Sequence, residues 1–240
     1  MMTAKWPRVF ALLTLAAAFI VLIAGPGISS GLLPWQLGLL AFAVSALVCA
    51  IGSIALLVAL ARKATRTPAK GLLTTGLIAG LLGAGVPAAI VLGASNAPPI
   101  HDITTDMDNP PAFVAITAEL RGPDSNPVSY DPAIAPKQAE AYPQIRPMRL
   151  AATPEEAFAR AEAAARAMGW EIVATDQPAL RIEATATVPW WGFKDDVVIR
   201  LTPDSGATII DVRSKSRVGQ GDLGVNAERI TAYLDKLANG

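Results

Sequence analysis

The chain is short of the residues that most often carry chemistry. Among 240 residues there is one histidine, His101, and one cysteine, Cys49. A single cysteine excludes an intramolecular disulfide, and one cysteine with one histidine cannot make a conventional zinc site. Leu47-Val48-Cys49 also lacks the small residues of a lipoprotein signal, which leaves Cys49 as a buried apolar filler. Acidic residues are missing altogether before residue 96, where the only charges are Lys5, Arg8, Arg62, Lys63, Arg66 and Lys70. The remaining 14 Lys/Arg face all 20 Asp/Glu, so the formal net charge of zero hides +6 in the first part and −6 in the second. An acidic second part lacks the positive footprint that a nucleic-acid partner needs. There is no Gly-Lys-Ser/Thr of a P-loop. The long apolar runs hold no Asp, Glu, Lys, Arg or His, which argues against a proton- or ion-coupled transporter.

What is present is apolar sequence, gathered at one end. The hydrophobic fraction is 52%, and it is concentrated before residue 96. Val9–Ala24 is an unbroken run of sixteen residues. At 1.5 Å per residue it reaches about 24 Å, short of a ~30 Å hydrocarbon core. It either extends toward Ile28 or is the hydrophobic region of a signal peptide. Leu37–Ala61 and Leu72–Gly93 carry no charge and are long enough to span. The pattern predicts a membrane anchor over 1–96, with three transmembrane helices at about 9–24, 37–61 and 72–93, and a soluble domain over 97–240. The basic residues at the amino terminus and at 62–70 place those segments in the cytoplasm. The expected location is therefore the cytoplasmic (inner) membrane, multi-pass, with the lipid bilayer as partner and the C-terminal domain on the periplasmic side. Cleavage of the first run would leave that side unchanged. Gly76 and Gly80 form a G-x-x-x-G that either brings helix backbones close or reflects how common glycine is in membrane helices.

The second part reads as an α+β domain. The six prolines within Val114–Leu150 suggest an extended coat rather than regular structure. Thr153-Pro154-Glu155-Glu156 is a capping box with proline at the first helical position, and Phe158, Ala161, Ala165 and Met168 follow at helical spacing. Four strand signals come next, at 170–175, 180–188, 195–202 and 207–214, and a last helix from about Asn226 to Ala238. The expectation is a four-stranded antiparallel sheet covered by two helices. A four-residue turn at 203–206 would set Asp196 opposite Arg213 and Arg200 diagonal to Asp211, as a charge ladder on an exposed face.

Three clusters hold the candidate chemistry. His101, Asp102, Thr104, Thr105 and Asp106 open the domain. Asp102, Asp106 and Asp108 lack the alternation and glycine of a calcium loop. Trp190-Trp191-Gly192-Phe193 lies between the second and third predicted strands, as a membrane or partner patch if exposed and as a core plug if buried. Ser214, Ser216, Arg217, Asp222, Asn226 and Arg229 belong to a glycine-rich loop and the helix after it. Its amides suit a small anion; alternatively Asp222 or Asn226 caps the helix and Arg217 pairs with Asp222.

Pro98-Pro99-Ile100-His101-Asp102-Ile103-Thr104-Thr105-Asp106 with Asn109-Pro110-Pro111 resembles the opening signature of the family called domain of unknown function 1499. Asn126-Pro127, Tyr130, Gln138, Tyr142-Pro143, Ile145-x-Pro147 and the stretch from Ser214 to Ile230 are also similar to it, over about 97–240. Gln144 departs from the pattern, where an acidic residue is expected. The anchored bacterial form of the family is similar in carrying apolar helices ahead of the domain. The resemblance implies location and fold, not an activity.

The leading expectation is a non-enzymatic module of the cell envelope that binds an envelope protein or a small anionic ligand, with no cofactor, no metal and no assembled catalytic set. The alternative is a membrane-anchored hydrolase with His101 as base and Ser214 or Ser216 as nucleophile. The two differ in whether His101 reaches a serine hydroxyl. A further expectation is that His101–Asp106 docks against the Ser214–Asn226 loop.

Overall fold

A computed structural model of the protein describes residues 5–62 and 69–239. The chain forms two compact units: one of residues 1–93 with Trp190–Gly192, the other of residues 94–189 and 193–240.

In the first unit the apolar runs become α1 (Trp6–Ser29), α2 (Trp35–Ala61) and α3 (Lys70–Gly93). All three are long and apolar enough to cross a membrane. The first is longer than its apolar run: it takes in Pro7 near its start and continues through Pro26 to Ser29. At about 36 Å it no longer falls short of a bilayer core. Lys63 and Arg66 of the basic loop lie outside the described residues. Glycine sets how closely these helices pack. A Cβ on Gly76 would sit 3.2 Å from the Ala11 backbone, and one on Gly83 would sit 2.7 Å from Cys49 Sγ. One on Gly80 would run into the Ser53 hydroxyl and the Thr14 methyl. The G-x-x-x-G is therefore a packing surface, as small residues at this spacing allow. Cys49 fills the space beside it with no exposure.

The second unit is an antiparallel sheet of six strands: β1 (Asp102–Thr104), β2 (Met148–Leu150), β3 (Glu171–Asp176), β4 (Arg181–Thr187), β5 (Lys194–Asp204) and β6 (Ala207–Ser216). Their order is β1-β6-β5-β4-β3, and β2 also pairs with β6. The expected four strands are β3 to β6. The two others have three residues each, too few to show an alternation in sequence. Both run antiparallel to β6, β1 along 213–215 and β2 along 208–210.

Two helices cover one face, α6 (Pro154–Ala167) and α7 (Val225–Asn239). The capping box at Thr153 and Glu156 forms as its sequence predicts. Between the helices and the sheet lie Phe158, Ala161, Ala165, Ile182, Val197, Ile199, Ile210, Val212, Ile230 and Tyr233. The Tyr233 hydroxyl donates to the Ala161 carbonyl at 3.1 Å, which joins the two helices. The expected coat, Val114–Leu150, is not wholly without regular structure: it holds the short helices α4 (Ala118–Arg121) and α5 (Ala135–Ala141) and ends in strand β2. It straps the opposite face.

The expected ladder needs correction. Asp204 pairs with Ala207, so the β5–β6 turn has two residues, not four. Ser205 and Gly206 both take positive φ, 37° and 82°, as a tight hairpin turn requires. The register therefore moves by two: Asp196 faces Lys215, Arg213 faces Val198, and Arg200 lies directly opposite Asp211. Nor is that face in solvent. Asp196 and Arg213 are 0% and 2% exposed.

Candidate functional site

The site begins at the tether. Nine residues after α3 ends, the chain is already strand β1, and the backbone of His101 is held: its carbonyl accepts from Ser216 N at 2.9 Å and from Asn226 Nδ2 at 3.2 Å. The opening signature and the Ser214–Asn226 segment therefore meet, as expected, through backbone pairing of β1 with the end of β6.

Alternation along β1 sends Ile103 to the apolar face and Asp102 to the strapped one. Asp102 is 1% exposed. Its carboxylate accepts from Arg213 Nε and Nη2, both at 2.8 Å, and from Lys215 Nζ at 2.9 Å. The strap completes both cations. Arg213 donates to the carbonyls of Pro111 and Val128, and Lys215 to that of Ser129. The Phe113 and Tyr130 rings lie 5.0 and 5.4 Å from the Arg213 guanidinium carbon. Burial pushes the Lys215 ammonium below the usual lysine range despite Asp102, and pushes the Tyr130 phenol up to about 12.

A second carboxylate, Asp196, accepts from Arg217 Nε and Nη2 at 2.9 and 2.8 Å and from the Thr185 hydroxyl at 2.8 Å. Arg121 Nε lies 2.8 Å away, an ion contact rather than an aligned hydrogen bond. Here too burial outweighs the carboxylate and lowers the Arg121 guanidinium. Arg200 bridges Asp106 and Asp211 at 2.9 and 2.8 Å, and the Thr105 hydroxyl donates to Asp211 at 3.2 Å. Glu183 collects the amides of Val114, Ala115 and Ile116 at 2.8–3.0 Å. Gln138 closes the free edge of β1, accepting from Thr104 N at 3.0 Å and donating to Thr104 O at 2.6 Å.

At the end of the apolar face a smaller network forms around Asn226. Its Oδ1 accepts from the Ser214 hydroxyl at 2.6 Å and from Arg229 Nη1, and its Nδ2 donates to the Ser216 hydroxyl at 2.9 Å. Arg229 pairs with Asp195. Asp222 caps α7, accepting from Gly224 N at 2.9 Å and Asn226 N at 2.8 Å. Burial raises its carboxyl above the usual range. The proposed Arg217–Asp222 pair gives way to Arg217–Asp196, because the Asp222 carboxylate is turned into the helix start. His101 Nδ1 lies 3.3 Å from the Gln220 carbonyl.

A model of the family described as Protein of unknown function (DUF1499) matches residues 102–237. The chain belongs to that family. The match starts on the first residue of β1 and ends on Leu237, the last buried residue of α7, so it coincides with the sheet domain. A search of the curated proteins finds no match.

In the DUF1499 domain all eleven candidate residues are drawn into these linked networks. Arg121, Asp195, Asp196 and Lys215 belong to them as well, although sequence reasoning did not single them out as site residues. Asn126 and Gln138 carried a signal, since they sit in the motifs that resemble the family. Asn126 Nδ2 donates to the carbonyls of Ser216 and Gly219 at 3.1 and 2.9 Å. Among the described residues no group of three or more His, Cys, Asp or Glu is placed to hold a metal ion.

Proposed function

We propose that the protein is a membrane-anchored, non-enzymatic module of the cell envelope, whose DUF1499 domain stands outside the cytoplasmic membrane and binds a partner there. One observation carries the reading: the polar signature is spent on fastening. The Ser214 hydroxyl is committed to Asn226, the Ser216 hydroxyl receives Asn226, and the His101 ring nitrogen faces a backbone carbonyl. A hydrolase would need that imidazole on a serine hydroxyl. The α7 start does not suit a small anion, because Asp222 occupies the amides an anion would take. This favours an envelope protein over a small anionic ligand as partner.

Two experiments test the proposal separately. A reporter active only in the cytoplasm, fused after Gly240, stays silent if the domain is outside; strong activity reverses the orientation. A fluorophosphonate probe of serine nucleophiles leaves the full-length protein unlabelled. Labelling that disappears in either Ser214→Ala or Ser216→Ala, with folding intact, would restore the hydrolase.

A further inference from the structure

The sheet has two edges, and they are finished differently. One is made of β1 and β2, three residues each, which both lie along β6. Strands that short are poor templates for another chain. The outward N–H and C=O of Thr104 are also taken there, by the Gln138 amide at 3.0 and 2.6 Å. The other edge is β3, the six residues Glu171–Asp176, which pairs with β4 alone.

Register shows which groups β3 leaves over. Leu201 N donates to the Leu180 carbonyl and Val188 N to that of Phe193, so the even-numbered residues of β4 face β5. Arg181, Glu183 and Thr185 then face β3, opposite Asp176, Ala174 and Glu171. The backbone of those three β3 residues turns inward, and that of Ile172 and Thr175 turns outward. Among the described residues no hydrogen bond reaches these outward groups, and Thr175 is exposed. The register shift between Ile172 and Ala174 leaves Val173 as a bulged residue. A bulge twists the edge, which suits a short segment better than a whole second sheet.

The charges on this edge have one sign. Glu171 and Asp176 close the two ends of β3, and no Lys or Arg lies between them. Arg181 answers Asp176 from the β4 side at 2.9 Å, whereas Glu171 is exposed and has no ion pair among the described residues. Pairing β3 antiparallel with a second copy of itself would set Glu171 against Asp176 twice. Like charges directly opposite are destabilising, so self-pairing is disfavoured and a basic strand is favoured.

We propose that the β3 edge takes a short extended segment of a partner protein, with Lys or Arg at its ends, as an added strand. The proposal rests on the partner-binding reading above and supplies its surface. Main-chain hydrogen bonds to Ile172 and Thr175 give the attachment. Glu171 and Asp176 give the charge selection.

The probe is a fluorescent peptide of alternating valine and threonine with a lysine at each end. One control peptide has glutamate at both ends, and another has N-methyl groups on alternate amides. Each is titrated against the full chain in phosphatidylcholine nanodiscs by fluorescence anisotropy, and hydrogen exchange reports which segment is covered. The lysine-ended peptide is expected to slow exchange at 171–176 and to leave 102–104 unchanged. It should bind at least about threefold more tightly than the glutamate-ended peptide, as opposite-charge pairs across strands allow. The N-methylated peptide should not bind. Thr175→Pro removes an outward N–H that an edge strand can spare, so it should fold and lose the peptide. Glu171→Lys should narrow or reverse the charge preference, and it decides alone if Thr175→Pro fails to fold. Unchanged exchange at 171–176 with millimolar peptide, or equal binding of the three peptides, overturns the proposal. So does slowing at 171–176 that follows protein concentration without peptide, which would make the occupant a second copy. The cytoplasmic reporter after Gly240 keeps the two readings apart. A silent reporter with no slowing strikes the β3 edge alone, and an active reporter with slowing reverses the orientation and leaves the edge standing.

Discussion

On one face of the sheet Ile182, Val197, Ile199, Ile210 and Val212 lie under α6 and α7 with no exposure. On the other face Asp102, Asp196, Arg213 and Lys215 lie under the strap at 3% exposure or less. The two faces are equally dry and are held by different physics. Burial of the apolar face is favourable in itself, at about 25 cal/mol per Å². The ionic face gains Coulomb energy and hydrogen bonds but loses hydration, and such layers are often no more stable than an apolar substitute. What they do impose is completeness, because a charge left without its partner is costly. Lys215 and Arg121 show the balance, since burial lowers both pKa values against the pull of a carboxylate.

The sharpest way to separate the faces is to remove one member from each and then repair the ionic one. Asp102→Ala strands Arg213 and Lys215 together and is expected to cost about 3–5 kcal/mol. Ile199→Ala, on the apolar face, is expected to cost about 3 kcal/mol. Only the first loss can be repaired by further deletion. Asp102→Leu with Arg213→Met and Lys215→Leu should regain most of the stability in denaturant titrations. A triple variant no better than Asp102→Ala would mean that the ions stabilise the fold outright.

This comparison also explains what the sequence made legible. The alternation Ile182, Ala184, Ala186 against Glu183 and Thr185 identified the two faces of β4 correctly. It carried no sign of what covers the charged set, because buried ion pairs and solvated ones use the same residues. The cover comes from a proline-rich segment far along the chain, held by single side chains such as Arg121, Asn126 and Gln138. The helices were readable because the capping box at Thr153 and the three apolar runs are local signals. β1 and β2 were not, since three residues carry no period. The register failed on a turn choice: Ser205-Gly206 alone closes the hairpin, and that shift of two changed the partners of Asp196 and Arg213.

A smaller effect follows from the lysine. Its depressed pKa means that the charged form is less favourable in the folded domain than in the unfolded chain. The sign then follows. A base with a lowered folded-state pKa adds stability above its unfolded value and loses it as pH falls through the folded value. Lys215→Met keeps the bidentate Asp102–Arg213 pair and is expected to change stability by less than about 1 kcal/mol. Melting curves of the two proteins should diverge mainly toward alkaline pH. A loss as large as that of Asp102→Ala would show that the lysine, not the arginine, is the partner that matters.

The smallest expected effect comes from an ion pair in water on the same sheet. Arg149 Nε and Asp204 Oδ2 are 2.9 Å apart, close to the distances at Asp102, but their side chains are 57% and 40% exposed. Solvent screens the attraction, and holding two mobile side chains in one geometry offsets part of what remains. A double-mutant cycle of Arg149→Ala and Asp204→Ala should therefore return a coupling of about 0.2–0.5 kcal/mol, weakening with added salt. The same cycle at Asp102 and Arg213 should return several times more, because each single change there leaves the other ion buried. The shortest N–O distances are nearly equal, but the Asp102–Arg213 pair is bidentate and shared with Lys215, so the contrast reports burial together with that fuller pairing. Equal couplings would mean that the strap opens often enough to let water reach the ionic face.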